Sequence, residues 1–342
     1  MTQTVVLISD IYENSNDLTK EYIQEWDNKK SIEYLGDTIL DLGYSLEIID
    51  SFQNPELVLD FLQKNLYRKE DFLVWNLVEG YFSRNRETYV PGFAEYLGYP
   101  YAGSDSYLQN LSLDKYLSKV RIEQLGIHTP RSFLCYDRLD LEQKLSYPLF
   151  LKPNFEGSSL GISEISIVHS DEEFKRTMES FELKYFPILV EEYFPGDEYT
   201  VSVLGTYESV EISKICRIEI EGMYSEEKKS KDFMEEKIIP IEDLEKSRYI
   251  TETTQKICRS IGFHGYGRLD WKEDEKGMPG FLEMNFTPGL SPYYSAFPIC
   301  FRESGKNYSE LIQEIINISK KDYNNIARLY GKRVSDEKII RN

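Results

Sequence analysis

GYGRLDWKEDEKGMPGFLEMNFTPG, residues 265 to 289, consists of two alternating runs around a turn-forming middle. YGRLDW alternates like a strand, EDEKGMPG supplies turn residues and FLEMNF alternates again, so the spacing predicts an antiparallel hairpin. Side chains two positions apart share a strand face, which puts Arg268 and Asp270 on one side and Leu269 and Trp271 on the other. Glu283 and Asn285 share a face by the same rule. A register that sets these faces together converges Asp270, Glu283 and Asn285, against the plainer reading of a solvated polar face. Such oxygens suit a hard divalent cation, because magnesium takes one or two carboxylates and completes its shell with water and phosphate. Manganese would serve equally. Arg268 on that face either counters the acids or stabilises a nearby oxyanion.

A phosphate-bearing partner would need cationic groups, and LKPNFEGSSLGIS, residues 151 to 163, offers them. An apolar strand ends there in Lys152, followed by glycines and serines that free the backbone. A lysine point charge with backbone N–H groups and hydroxyls is a recurring phosphate cradle. An ordinary lysine at a strand end is the plainer alternative. ILVEEYFPGDEYTVSVLG, residues 188 to 205, reads as a strand ending at Glu191 and Glu192, a turn at PGD, and a second strand. Alone, it reads most simply as a hairpin.

Bulk properties restrict the partners. The chain has 342 residues, fitting two or three packed modules. A formal charge of −19 argues against nucleic acid or an anionic membrane, since the long-range field repels both. Any phosphate must therefore be held by local positive charge, with a metal. Four scattered cysteines form no CxxC pair, and three histidines are equally dispersed, which speaks for a reducing compartment and against zinc. The opening MTQTVVLISD lacks a basic segment before a long apolar run, so a cytoplasmic location is expected.

TVVLIS (4 to 9), YSLEIID (44 to 50) and DFLVWNLVEG (71 to 80) alternate with helix-compatible stretches such as SIEYLGDTILDLG. That pattern predicts an open, largely parallel sheet with helices on its faces, in an α/β module over residues 1–106. Residues 107–185 hold a helix containing LSLDKYLSKVRIEQLG, short strands around the lysine loop, and a charged helix SDEEFKRTMESF. Residues 186–342 are strand-rich, interrupted by EGMYSEEKKSKDFMEEK as a long exposed loop or lid. The GxxxxGK[ST] phosphate loop is absent.

LSLDKYLSK, LKPNFEGSSLGIS, LVEEYFPGDEYTV, GYGRLDW and FLEMNFTPG, together with YLGYPYAGSD, occur in the order found in the D-alanine:D-alanine ligase group of the ATP-grasp superfamily, which the chain resembles over roughly residues 72 to 298. The resemblance implies an ATP-grasp fold, mixing α/β and α+β, behind an N-terminal Rossmann-like open parallel sheet. The three modules become a pre-ATP-grasp domain, a central subdomain with the phosphate loop and a C-terminal subdomain with the metal site. It implies a ligase that activates a small carboxylic acid, such as an amino acid, as an acyl phosphate for attack by an amine. Carried over by position, Lys115 and Lys152 would contact ATP phosphates and Ser158 would cover the transferring group; the family's tyrosine-bearing lid pattern is not matched by YSEEKKSKD, where Lys228 or Lys229 would still reach phosphate. Glu191 and the Phe194 backbone would meet adenine and Glu198 the ribose. Asp270, Glu283 and Asn285 would bind Mg2+ or Mn2+, and Arg268 would steady the tetrahedral oxyanion.

The departures fall in the amino-acid half. The glycine-rich, acid-bearing loop of dipeptide ligases is replaced by SDIYENSND, their GEDG segment by the region around RNRE, and their histidine-glycine pair by Glu79 and Gly80. Their substrate serine falls at Tyr294 or Ser295, according to the direction of counting. Glu79, Arg84, Arg86 and Tyr294 become the candidates for the substrate pocket, and a product other than D-alanyl-D-alanine is expected. A ligase charging a carrier protein's thiol and a non-catalytic ATP-binding module are the rival readings. Resembling ligases are commonly dimers, so a homodimer is compatible with the family.

Overall fold

The structure is a computed structural model that describes residues 3–12, 27–52, 54–80, 83–139, 144–158, 160–219 and 237–336. The chain begins with β1 (Thr4–Ser9) and a small parallel ribbon of β2 (Ile11–Tyr12) and β3 (Asp27–Asn28). β4 (Ser45–Asp50), β5 (Phe72–Leu77) and β6 (Tyr101–Ala102) join β1 in a parallel sheet of order β4-β1-β5-β6. Its central strands are apolar on both faces because helices cover both. Val5, Leu7, Leu73 and Trp75 meet Ile32, Leu35 and Ile39 of the helix Lys29–Asp41, while Val6, Ile8 and Val74 meet Val58, Phe61 and Ala94 on the other side. The expected open parallel sheet is present.

The second sheet, of order β7-β10-β8-β9, is antiparallel and built from β7 (Ser132–Cys135), β8 (Leu149–Pro153), β9 (Ile167–Val168) and β10 (Ile188–Glu192). The helix Asp171–Ser180 packs Phe174 and Met178 against it. β11 (Glu198–Thr206), β12 (Ser209–Ile212), β13 (Cys216–Glu219), β14 (Lys237–Pro240), β15 (His264–Glu273) and β16 (Pro279–Asn285) form the third sheet, of order β14-β13-β11-β15-β16 with β12 on β11. Its apolar face, with Val201, Leu269 and Met284, lies on Ile250, Ile257 and Ile261 of the helix Leu244–Ile261. The β15–β16 hairpin is the one predicted from residues 265 to 289.

Three expectations change. The run 188 to 205 is not a hairpin, because β10 and β11 belong to different sheets and residues 193–197 carry the chain between them. β10 supplies an inner strand of the second sheet, so that sheet continues past residue 185. LSLDKYLSKVRIEQLG holds parts of two helices, Ser106–Leu113 and Lys115–Gln124. Asp114 separates them by leaving helical geometry (φ −84°, ψ 90°) and capping the second, its carboxylate accepting the Leu117 N–H. Among the described residues no helix is long and apolar enough to cross a membrane.

The outer sheets are joined through β15. Trp75 Nε1 donates to Tyr266 Oη at 2.9 Å, and Tyr266 shares a core with Phe297, Phe301 and the apolar face of the C-terminal helix Tyr308–Asp336. His264 lies 3.3 Å from Asp105 and 3.6 Å from Asp322 of that helix. Burial alone would depress its pKa, but these two carboxylates outweigh it and lift the imidazole to about 9. A raised pKa stabilises the fold below the unfolded value near 6.5 and is lost as pH rises through about 9. The stability advantage of wild type over His264→Gln is therefore expected to shrink by up to about 3 kcal/mol over that window, read by denaturant unfolding at each pH. At Gly265 (φ +95°) a Cβ would stand 2.6 Å from the Gly103 carbonyl carbon. Gly265→Ala should cost about 3 kcal/mol by the same measurement.

Candidate active site

The register decides which side chains meet. Asp270 of β15 lies opposite Glu283 of β16 and Thr200 of β11, and Arg268 lies opposite Asn285 and Ser202. A β-bulge just after Asp270 breaks the register between β15 and β16. Thr200 Oγ1 donates to Asp270 Oδ1 at 2.8 Å, and Arg268 Nη2 lies 3.0 Å from Asp270 Oδ2. Asn285 Oδ1 accepts the Thr287 N–H at 2.8 Å. The predicted acids, amide and arginine thus share the polar face of the third sheet.

The second sheet contributes the cations. Lys152 and Glu191 share a face of β8 and β10, with Lys152 Nζ 2.8 Å from Glu191 Oε1. Lys119, one helical turn beyond Lys115, places its Nζ 2.9 Å from Glu191 Oε2. That contact is ionic without hydrogen-bond alignment. Lys115 donates to the Glu156 carbonyl and lies 3.7 Å from Glu283, so it connects the lysine group to the acids on β16. Lys152 is therefore buried and paired at the end of its strand.

Asn154 explains how Lys115 reaches this position. Fully buried after β8, it accepts the Tyr116 N–H at 2.9 Å and donates to Asp114 Oδ1 at 2.9 Å. The side-chain amide therefore clamps the helix start beside the lysine loop. In that loop, Ser158 has φ +50°, a left-handed conformation uncommon for serine.

Electrostatics separate the two acids. Burial pushes the Asp270 carboxyl up to about 6; Arg268 pulls against this, and the Glu283 charge adds to it. Burial also works against Glu283, yet Lys115, then Lys152, Arg268 and Lys119 overcome it and hold its carboxyl at about 2. Glu191 is depressed too, because two lysines offset its burial. Two facing carboxylates, one of them raised, favour a cation between them. Among the described residues no group of three His, Cys, Asp or Glu could hold a metal by itself. Asp270, Glu283 and the amide oxygen of Asn285 fit magnesium that shares its shell with phosphate, and the neighbouring lysines fit that phosphate.

The remaining candidates are less concentrated. Glu198 forms an ion pair of 3.2 Å with Lys272, and Phe194 is buried with its ring stacked on His128. Glu79 is half-buried beyond β5, and its N–H and that of Gly80 donate to the buried Asp10 carboxylate. Arg86 does not stand open to a pocket: it is 5% exposed, donates to the Phe155 carbonyl at 2.9 Å and pairs with Glu156 at 3.3 Å. Arg84 is exposed, its guanidinium 5.8 Å from the Phe155 ring centre. Tyr294 is 59% exposed and hydrogen-bonded to Ser31 at 3.0 Å. Lys228 lies outside the described residues. Sequence reasoning missed Lys119, Thr200 and Lys272; for Lys119 the signal was its i+4 spacing from Lys115.

The D-ala D-ala ligase C-terminus family model matches residues 133–317. D-alanine–D-alanine ligase of Pelotomaculum thermopropionicum is 31% identical, over 67% of this chain and 75% of its own length. The uncharacterized protein y4sG of Sinorhizobium fredii is 30% identical, over 73% of this chain and 75% of its length. Among solved structures, D-alanine–D-alanine ligase from Bacillus anthracis, complexed with ATP, superposes with a TM-score of 0.70 at 20% identity, covering 95% of this chain and 99% of that one. VanG D-Ala:D-Ser ligase from Enterococcus faecalis gives 0.68 at 20% identity, covering 93% and 100%. With the motifs, the register and the family match in agreement, the chain belongs to the D-alanine–D-alanine ligase family, as a divergent member with the ATP-grasp fold.

Proposed function

We propose that the protein is an ATP-dependent carboxylate–amine ligase acting on an amino acid or similar small acid. The observation that carries this reading is the lysine group of Lys115, Lys119 and Lys152 facing Asp270, Glu283 and Arg268 across adjoining sheets. A carboxylate is a poor electrophile. In the proposed reaction its oxygen attacks the γ-phosphorus of ATP and ADP leaves; the amine nitrogen then bonds to the acyl carbon, the C–O bond breaks, phosphate departs and the nitrogen loses a proton.

Catalysis of this kind is mostly positioning and charge neutralisation. Lys115 and Lys152 bind phosphates, and Ser158 covers the transferring group. The Phe194 backbone receives adenine and Glu198 the ribose, whereas Glu191, expected from the sequence to meet adenine, is buried with both carboxylate oxygens on lysines and serves as their counter-charge. Asp270, Glu283 and Asn285 would hold magnesium, which would supply charge neutralisation at the phosphate. Arg268 stabilises the oxyanion formed when the amine attacks.

For the acid and amine, Glu79, Arg84 and Tyr294 remain the candidates, whereas the contacts of Arg86 suit it to anchoring the loop at Phe155 and Glu156. The departures near SDIYENSND and RNRE support a product other than D-alanyl-D-alanine.

Glu283→Gln should lower turnover about 100-fold by weakening metal binding, with the fold retained although the thermal midpoint falls, because the lysines lose a stabilising carboxylate. Full activity in that variant would refute the metal assignment. Phosphate release from ATP, scored over L- and D-amino acids with and without added amines, should depend on a carboxylic acid, and D-alanine alone should not give D-alanyl-D-alanine efficiently. Efficient D-alanyl-D-alanine synthesis would overturn the substrate reading, and ADP release indifferent to any acid would overturn the ligase reading.

A further inference from the structure

The helix Lys115–Gln124 carries a buried lysine that the proposed reaction leaves without a role. Lys119 is 2% exposed, as is Glu191, whose two carboxylate oxygens meet different ammonium groups: Oε2 lies 2.9 Å from Lys119 and Oε1 2.8 Å from Lys152. One carboxylate therefore holds two like charges together. Lys152 lies near the end of β8, just before the serine–glycine loop, whereas Lys119 projects from the helix Lys115–Gln124.

We infer that Lys119 is a positioning residue for the nucleotide: it keeps Glu191 compensated so that Lys152 can turn from that carboxylate toward a triphosphate. The inference rests on the nucleotide-site reading proposed above. With Lys152 as its only partner, Glu191 would be left as an uncompensated buried charge when phosphate drew the lysine away, and that cost would oppose binding. A second ammonium on the other oxygen removes the conflict, since one ion pair survives while Lys152 changes partner.

Calorimetric titration of the full chain with ATP and magnesium, and separately with adenosine, tests this in wild type, Lys119→Met, Glu191→Gln and the double variant. Lys119→Met should weaken ATP binding at least tenfold and change adenosine binding less than twofold. In the Glu191→Gln background the same substitution should cost less than threefold, because no carboxylate charge is left to compensate. Unchanged ATP affinity in Lys119→Met, equal losses for ATP and adenosine, or the same factor in both backgrounds would overturn the inference. Should Lys119→Met not fold, comparing the double variant with Glu191→Gln decides, and a tenfold loss there overturns it. Wild-type protein that binds no ATP would overturn the nucleotide-site reading and this inference together; wild type that binds it, with Lys119→Met unaffected, would overturn this inference alone.

Discussion

A single buried carboxylate makes the rest of the site possible. Glu191, at the end of β10, is the counter-charge that lets Lys119 and Lys152 lie close together inside the protein. Without it, burial and mutual repulsion would favour loss of a proton from one of them. The residual cost falls on Lys119, where burial dominates and lowers the ammonium to about 8. Lys152, despite equal burial, is raised, because Glu191 and then Glu283 outweigh the desolvation. Both lysines are thus ammonium groups at neutral pH, and the one beside the glycine loop holds its proton the more firmly.

The acids obey a matching rule in the third sheet. Period-two alternation sends Leu269 and Trp271 into the core under the helix Leu244–Ile261, and the same alternation leaves Arg268 and Asp270 on the opposite face. Apolar burial therefore fixes the register, and the register places Asp270 opposite Glu283. A slip of one residue would invert every side chain and bury the acids in the core. Packing far from the polar face consequently decides which charged groups meet there.

Local patterns made much of this legible. The hairpin, its two faces and the strand ending at Lys152 follow from alternation and turn residues within about 25 positions. What stayed hidden involved partners distant in the chain. The pairing of Lys119 with Glu191 joins residues from a helix and a strand of separate runs, and nothing nearby marks either as a partner of the other. The break at Asp114 was hidden because no glycine or proline marks it; the signal is an aspartate that caps the following helix while accepting from Asn154, 40 positions on. β10 and β11 imitated a hairpin because a proline–glycine turn between alternating runs looks the same whether the strands pair or part into two sheets. Arg86 looked like a pocket residue, yet its partners are a carbonyl and a carboxylate of the loop 155–156.

The short helical turn Arg86–Thr88 ties the first module to both halves of the site. Arg86 holds Phe155 and Glu156, and Glu87, next in sequence, accepts a hydrogen bond of 3.4 Å from Thr287, two residues beyond β16. The segment that departs from dipeptide ligases is consequently also a mechanical brace for the loop and for the strand carrying Glu283. Exchanging residues 1–106 for a relative's module would remove that brace along with whatever the module recognises. The segment is therefore part of the scaffold of the loop and the strand end, and a chimera would have to transplant both together with the module.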